Sequence, residues 1–165
     1  MYMLESNALE YVYDAYGDST QKQMIFADKS KYVHLETEGK WTDSLGDYGL
    51  EFCYGKIEIV GDDIALDIFC EGTNQKDEKF WVSRKRKSVR GVGSGINKYL
   101  SGTGRYEKFS GLECKYGVNF LNEAFWYKQK CEINEKILNI SIVQNCVPGK
   151  AVSFEIRDQP PTSAF

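Results

Sequence analysis

The sequence predicts an all-β domain built from antiparallel hairpins, and three observations support this prediction. Strand-like runs recur between turn signals with almost no helical periodicity, which is typical of a β-barrel or a β-sandwich. In two predicted hairpins, a pair of cysteines indicates which residues lie opposite one another on the two strands. The chain has 165 residues, of which 42% are hydrophobic, so it is long enough for one packed core and short for two domains. We therefore expect a single antiparallel domain.

The first of these hairpins is predicted over Tyr48–Val60 and residues 63–71, around a turn at Gly61-Asp62. Folding the chain at this turn sets Cys53 opposite Cys70. The thiols then share one face with the apolar side chains, and that face is the one expected to be buried. The other opposed pairs are Ile59 with Ile64, Ile57 with Leu66, and Gly55 with Ile68.

The second hairpin is predicted over residues 112–133, around a turn at Asn122-Glu123. It sets Cys114 opposite Cys131, with the same spacing along the chain as in the first pair. Phe120 then faces Phe125, Val118 faces Tyr127, Tyr116 faces Gln129 and Leu112 faces Ile133. From the two registers together we predict an interior that contains Ile57, Ile59, Ile64, Leu66, Ile68, Leu112, Val118 and Phe120.

The rest of the chain adds further strand-like runs and turns. A loop is predicted over residues 43–47 and a turn over residues 72–77, and the glycine-rich stretch 91–104 leads to the second hairpin. Glycines in such a chain mark bends, bulges and barrel corners. We expect one domain over residues 1–156 and an extended tail over residues 157–165. The further strands are predicted at residues 9–16, 23–27, 32–41, Lys79–Val89, 137–144 and 151–156.

Charge and hydropathy argue against several classes of partner. A net charge of −3 argues against general binding to nucleic acid or anionic membranes, because these polyanions are attracted to positively charged proteins. The longest apolar stretches are short and interrupted, so no membrane span is predicted. The first five residues lack the features of a signal peptide, although the sequence is also compatible with a mature chain from which one has been removed.

The cysteines have two interpretations that depend on the compartment. Opposed residues on neighbouring strands come close enough to form disulfides, Cys53 with Cys70 and Cys114 with Cys131, after a small adjustment. Bridged cysteines would indicate a periplasmic or secreted protein. Free cysteines would pack as small buried hydrophobes in a cytoplasmic one. Cys146 has no partner in this scheme.

Metal and cofactor sites are not predicted. His34 is the only histidine, and it lies on the polar face of its strand beside Glu36, so we expect a solvated surface residue. The cysteines lack zinc-site spacing. The glycine-rich stretch matches no phosphate-binding pattern, and no helix is expected after it. We therefore expect no cofactor.

The basic run Arg84-Lys85-Arg86-Lys87 allows two interpretations. In a regular strand it sends two cations toward the interior, where they need partners. Glu51, Glu71, Glu113 or a ligand carboxylate could supply the counter-charge. In the other interpretation all four cations are solvated at the barrel rim.

Polar cavity groups can be named from the same alternation. Tyr116, Tyr127 and Gln129 are predicted to point inward, so with Arg84 and Arg86 they are the candidate ligand-binding residues. Glu71 lies beside the apolar face of its strand and would join them only if a bulge turned it inward.

A family resemblance rests on Gly102-Thr103-Gly104-Arg105-Tyr106, followed by Phe109, Gly111 and the strand from Leu112. It is supported by Cys70-Glu71-Gly72-Thr73 with Asp77, Lys79 and Phe80, and by Glu113-Cys114. These residues resemble the allene oxide cyclase barrel superfamily, which includes dirigent-like proteins and bacterial relatives of unknown function. The resemblance covers roughly residues 48–118.

The resemblance implies an eight-stranded antiparallel barrel with a lipocalin-like interior. The leading expectation is binding of a small apolar or amphipathic molecule in that interior, without a reaction. The enzyme alternative is a cofactor-free isomerase or cyclase, or a dirigent-like stereochemical guide, that acts on a lipophilic substrate by holding one conformation. A third alternative is a fully packed structural or interaction barrel. Assembly into a homo-oligomer is left open.

Overall fold

The computed structural model describes residues 8–89 and 94–134, which form a closed antiparallel barrel. Eight strands follow one another around the barrel in chain order, and β8 closes it by pairing with β1. The predicted fold class is therefore confirmed. No helix within the described ranges is long and apolar enough to cross a membrane. The strands are β1 (Ala8–Ile25), β2 (Lys31–Asp43), β3 (Tyr48–Val60), β4 (Asp63–Asn74), β5 (Lys79–Val89), β6 (Gly95–Gly102), β7 (Glu113–Leu121) and β8 (Ala124–Asn134).

Both predicted hairpin registers are confirmed. β3 and β4 pair with Cys53 opposite Cys70 and with Ile57 opposite Leu66. β7 and β8 pair with Phe120 opposite Phe125, and the register continues as the sequence predicts. Disulfide bonds join Cys53 to Cys70 and Cys114 to Cys131. Each bond links two neighbouring strands of the barrel wall.

The N-terminal part of the barrel differs from the prediction. Instead of two short strands, residues 8–25 form the single strand β1. Gly17 is not a break in the strand, because it pairs with Gly39 of β2 at a very close approach. A Cβ atom at Gly17 would lie 2.0 Å from the carbonyl oxygen of Glu38. The glycine thus permits close contact between strands rather than a turn.

The glycine-rich stretch also differs from its predicted role as a connector. It contains β6, in which Gly95 lies against the Tyr116 ring, so that a Cβ atom there would be 2.2 Å from Tyr116 Cζ. A 3₁₀-helix over Gly104–Phe109 follows, although no helix was expected. The strands predicted at residues 137–144 and 151–156, the tail and Cys146 lie outside the described residues.

Aromatic side chains fill one end of the barrel, which we call the closed end. It carries the turns after β2 and β4 and the 3₁₀-helix after β6. The Phe80 ring makes edge contacts with Trp41 and Tyr106, at centroid distances of 5.4 and 5.1 Å. Such offset and edge-on packing favours a dense interior. The fully buried aromatic residues here are Tyr11, Tyr13, Trp41, Phe80, Tyr99, Tyr106 and Phe109.

The opposite end, which we call the open end, carries the turns after β1, β3 and β7. Leu66 and Ile68 are buried on its inner face, as predicted. Phe120 was placed in the core, and this is wrong, because 38% of the residue is exposed. It lies on the inward face of β7, but in the last layer of the barrel, next to the turn after β7. The half-buried apolar residues of the predicted interior are Ile57, Ile59, Ile64 and Val118 at this end and Leu112 beside the 3₁₀-helix.

The first half of β3 has an inverted pattern. Its inward positions hold Gly49, Glu51, Cys53 and Gly55, whereas the outward positions hold Tyr48, Leu50, Phe52 and Tyr54, all exposed. Hydropathy alone would predict the opposite orientation, with the large apolar side chains inside. The pairing of β3 with β2 and β4 fixes the observed orientation, which places the Glu51 carboxylate inside the barrel.

Candidate functional site

A buried ion pair lies at the centre of the barrel. Arg84 of β5 donates from Nη1 to Glu51 Oε1 at 2.8 Å and from Nη2 to Glu51 Oε2 at 2.5 Å. The two side chains are 4% and 1% exposed. The two parallel bonds are the geometry that a guanidinium offers to a carboxylate. Glu51 is therefore the counter-charge that the sequence left undecided for Arg84.

The parity of the basic run is as the strand interpretation predicts. Arg84 points inward and is buried, and Arg86 follows it on the same face, whereas Lys85 and Lys87 are exposed. The alternative in which all four cations are solvated is thus wrong for Arg84. Burial, the largest influence, would lower the pKa of Arg84, but the Glu51 carboxylate together with Tyr127 and Tyr13 outweighs it, so the pKa is raised.

The ion pair extends into a chain of hydrogen bonds. Tyr13 donates its hydroxyl to Glu51 Oε2 at 2.7 Å, and Arg84 donates from Nε to Asn97 Oδ1 at 3.0 Å. The guanidinium also lies over the Tyr127 ring, 4.0 Å from its centroid. Burial and the Glu51 charge raise the pKa of Tyr13, so its hydroxyl stays protonated and remains a donor.

The predicted polar groups Tyr127 and Gln129 also lie inside the barrel. Tyr127 donates to Gln129 Oε1 at 2.9 Å, and Gln129 donates from Nε2 to the Tyr99 hydroxyl at 3.2 Å. Burial raises the pKa of Tyr99 to about 12. Tyr116 stacks on Tyr127 with ring centroids 5.0 Å apart. Except for Tyr116, these hydroxyl and amide groups are satisfied within the protein.

One part of the barrel interior contains buried polar atoms that have no hydrogen-bond partner among the described residues. Five buried side-chain nitrogen or oxygen atoms of the described residues have no hydrogen-bond partner. Asp67 and Arg105, which hold two of them, take part in ion pairs with Lys85 and Asp47. The other three atoms are Arg86 Nε, Asn97 Nδ2 and the Tyr116 hydroxyl. Since buried polar groups are normally paired, such a group of atoms needs an explanation.

These three atoms come from neighbouring strands. Arg86 follows Arg84 on the inward face of β5, Asn97 pairs with Arg84 across β5 and β6, and Tyr116 pairs with Gly95 across β6 and β7. Burial raises the pKa of Tyr116, and the charges of Arg84 and Arg86 partly oppose this shift. The three groups lie on the inward faces of three consecutive strands, with Arg86 and Tyr116 on the open-end side of Arg84, and we call them the β5–β7 patch.

Two other candidate residues lie outside the barrel. Glu71 is on the outer face of β4, where it accepts from Lys79 Nζ at 2.6 Å and from Trp81 Nε1 at 2.9 Å. No bulge turns it inward, so it does not join the patch. His34 is half-exposed and lies 2.9 Å from Glu36, which confirms its predicted place on the surface.

One group of metal-ligand type occurs in the described part of the chain. It consists of Glu51, Cys53 and Cys70, whose ligand atoms lie within 4.8 Å of one another. Both sulfurs belong to a disulfide, and the carboxylate is bound to Arg84. In the oxidised protein these atoms are therefore not free to bind a metal.

Sequence reasoning did not identify Tyr13 or Asn97. Asn97 alternates with Gly95 and Tyr99 on the buried face of β6. Because the surrounding glycines predicted a connector, this alternation was not assigned to a strand and Asn97 was not recognised as an inward residue. Tyr13 could have been found from the alternation in β1, but its bond to Glu51 joins residues far apart in sequence.

Comparisons of the chain with protein-family models, with curated proteins and with solved structures found no match. The function must therefore be argued from the barrel itself.

Proposed function

We propose that the barrel binds a small amphipathic molecule at its open end. The β5–β7 patch is the observation that carries the proposal, because its buried polar atoms lack partners among residues 8–89 and 94–134. The half-buried side chains of Ile57, Ile59, Ile64 and Val118 on the same half of the interior would hold the apolar part of the ligand. A ligand with one polar end matches both surfaces.

The rim of the open end supports entry of a lipophilic molecule. Val60, Val89 and Leu121, at strand ends on this side, are 63%, 64% and 65% exposed. Phe26, in the turn after β1, is exposed as well. The turns at the closed end carry mainly polar groups, such as Asp47 and Arg105, which form an ion pair at 2.7 Å. An apolar molecule would meet these exposed apolar side chains as it approaches the open end.

The proposed function is binding rather than a reaction. Glu51, the buried carboxylate of the interior, already accepts from Arg84 and Tyr13 and is not free to act as a base. A cyclase or isomerase that moves a proton would need a free base beside the substrate. The packed-barrel alternative describes the closed end, where aromatic rings occupy the interior.

The neutral fluorescent probe N-phenyl-1-naphthylamine tests the proposal, since its binding does not depend on a charged head group. We expect saturable binding that Ile59→Trp weakens by about tenfold or more, because the larger side chain occupies the inner face of the open end. Ile96→Trp is the matched control, because Ile96 is exposed on the outer face of β6. No saturable binding of any lipophile, or equal weakening by both variants, would refute the proposed function.

The two disulfides support an oxidising location, and we propose that the protein is periplasmic or secreted. Thiol titration of the unfolded, unreduced protein from its native source tests this. The titration should give one free thiol for the five cysteines of the chain, because the two disulfides use four of them. Five free thiols would place the protein in a reducing compartment.

A further inference from the structure

The orientation of the Asn97 amide follows from its partner. The Nε–H group of Arg84 can only donate, so the atom 3.0 Å away must be the amide oxygen of Asn97. The amide nitrogen then points away from the ion pair, and it is one of the unpaired atoms of the β5–β7 patch. Arg84 itself is held by both oxygens of Glu51. Glu51 therefore fixes the orientation of the Asn97 amide indirectly, by holding Arg84 in place.

The patch consequently offers hydrogen-bond donors and no free acceptor of the amide or carboxylate type. Arg86 Nε and Asn97 Nδ2 can only donate, and the Tyr116 hydroxyl can turn its proton toward an acceptor. The acceptors nearby are in use, since Asn97 Oδ1 binds Arg84 and both oxygens of Glu51 are paired. Arg84 and Glu51 balance each other's charge, which leaves the Arg86 charge uncompensated within this group.

We infer that the site selects ligands whose head group accepts hydrogen bonds, such as a ketone or a carboxylate, and rejects head groups that only donate. Glu51 is the positioning residue for this selection, since it fixes Arg84 and through it the Asn97 amide. The inference rests on the proposed binding function and adds the chemistry of the head group.

Three probes of equal chain length separate the possibilities by displacing N-phenyl-1-naphthylamine. The first is 2-dodecanone, which is a neutral acceptor. The second is dodecanoate, which is an anionic acceptor, and the third is dodecylammonium, which can only donate. We expect 2-dodecanone to bind about tenfold or more tightly than dodecylammonium, because an unpaired buried donor is costly. Tighter binding of dodecanoate than of the ketone would assign an added contribution to the Arg86 charge. Equal affinity for the ketone and the ammonium would overturn the inference.

Asn97→Asp inverts the chemistry of the patch at one atom. Its first oxygen can still accept from Arg84, but a second oxygen replaces the amide nitrogen. We expect the ketone-to-ammonium preference to fall by about tenfold or to reverse. Asn119→Asp makes the same change on the exposed outer face of β7 and should leave the preference unchanged. A preference that both variants leave intact would contradict the role of Asn97.

The positioning role of Glu51 needs a variant that folds, because Glu51→Gln alone leaves a buried guanidinium poorly paired. In Glu51→Gln/Arg84→Met no cation holds the Asn97 oxygen, so the amide is free to turn over. We expect the ketone-to-ammonium preference to fall toward one, while the affinity for the neutral naphthylamine stays unchanged. A purely structural role would change both affinities together. If the naphthylamine binds but the three probes never differ, the inference fails and the proposed function stands.

Discussion

The two ends of the barrel differ in how side chains fill the interior and in how the polar groups are paired. At the closed end, interlocking aromatic rings and the 3₁₀-helix cover the interior, and the polar groups of the turns pair with one another, as Asp47 does with Gln75 and Arg105. At the open end, aliphatic side chains stay half-buried, and three polar atoms have no partner among the described residues. The closed end is therefore the more completely packed of the two.

The central ion pair separates these two regions. Glu51 and Arg84 lie between the aromatic layer of the closed end and the β5–β7 patch, and they connect Tyr13 on one side to Asn97 on the other. A buried ion pair contributes little net stability but is costly to break. Its position favours a role in orienting the side chains on either side.

The sharpest test of the comparison replaces the same residue type at each end. Phe80→Ala should lower the free energy of unfolding by about 3–5 kcal/mol, because the ring is fully buried among other rings. Phe120→Ala should lower it by no more than about 1 kcal/mol, since its ring is partly in water. Denaturant unfolding measures both. Equal losses would show that the open end is packed as tightly as the closed end.

The ion pair gives the next test. Glu51→Gln should lower the free energy of unfolding by about 3–5 kcal/mol, because Arg84 stays buried without its counter-charge. The double variant Glu51→Gln/Arg84→Met should recover most of that loss, since the cation is gone. Urea titration of the two variants and of the unmodified protein decides this. A double variant as unstable as the single one would mean that the loss comes from packing.

Alkaline pH should act mainly through the buried tyrosines. Burial raises the pKa of Tyr11, Tyr13, Tyr99, Tyr106, Tyr116 and Tyr127, whereas an unfolded tyrosine titrates near about 10. A raised pKa in the folded state stabilises the fold below the unfolded pKa, and this stabilisation is lost as the pH rises above it. The free energy of unfolding should thus fall steadily above about pH 10. A constant value between about pH 9 and 11 would contradict this.

The smallest effect is expected at the rim of the open end. Val60→Ser and Leu121→Ser should change the free energy of unfolding by no more than about 0.5 kcal/mol, because both side chains are exposed. Thermal unfolding of each variant provides the measurement. A loss above about 1 kcal/mol would mean that the rim is packed against other parts of the protein in solution.

Much of the barrel could be predicted from local sequence. Alternation and turn residues located β3, β5 and both cysteine hairpins, because a strand with one buried face repeats every two residues and a slip of one residue reverses it. The inward direction of Tyr116 and Gln129 followed from the same rule, and that of Arg84 agrees with one of the two interpretations of the basic run. The failures at Gly17 and in β6 have a common cause, since a glycine that allows close contact looks the same in sequence as one that makes a turn.

The sequence by itself thus determined the fold class, the two hairpin registers and the inward faces of Tyr116, Tyr127 and Gln129. Only the tertiary structure decided which charges meet. Glu51, Glu71 and Glu113 were all named as partners for Arg84. The structure pairs Arg84 with Glu51, whereas Glu71 and Glu113 lie on the outer face, bound to Lys79 and Lys98. Alternation describes one strand at a time, whereas pairing across the interior depends on how far the barrel curves before it closes. The unpaired atoms of the β5–β7 patch arise from that same closure, so no local pattern indicates them.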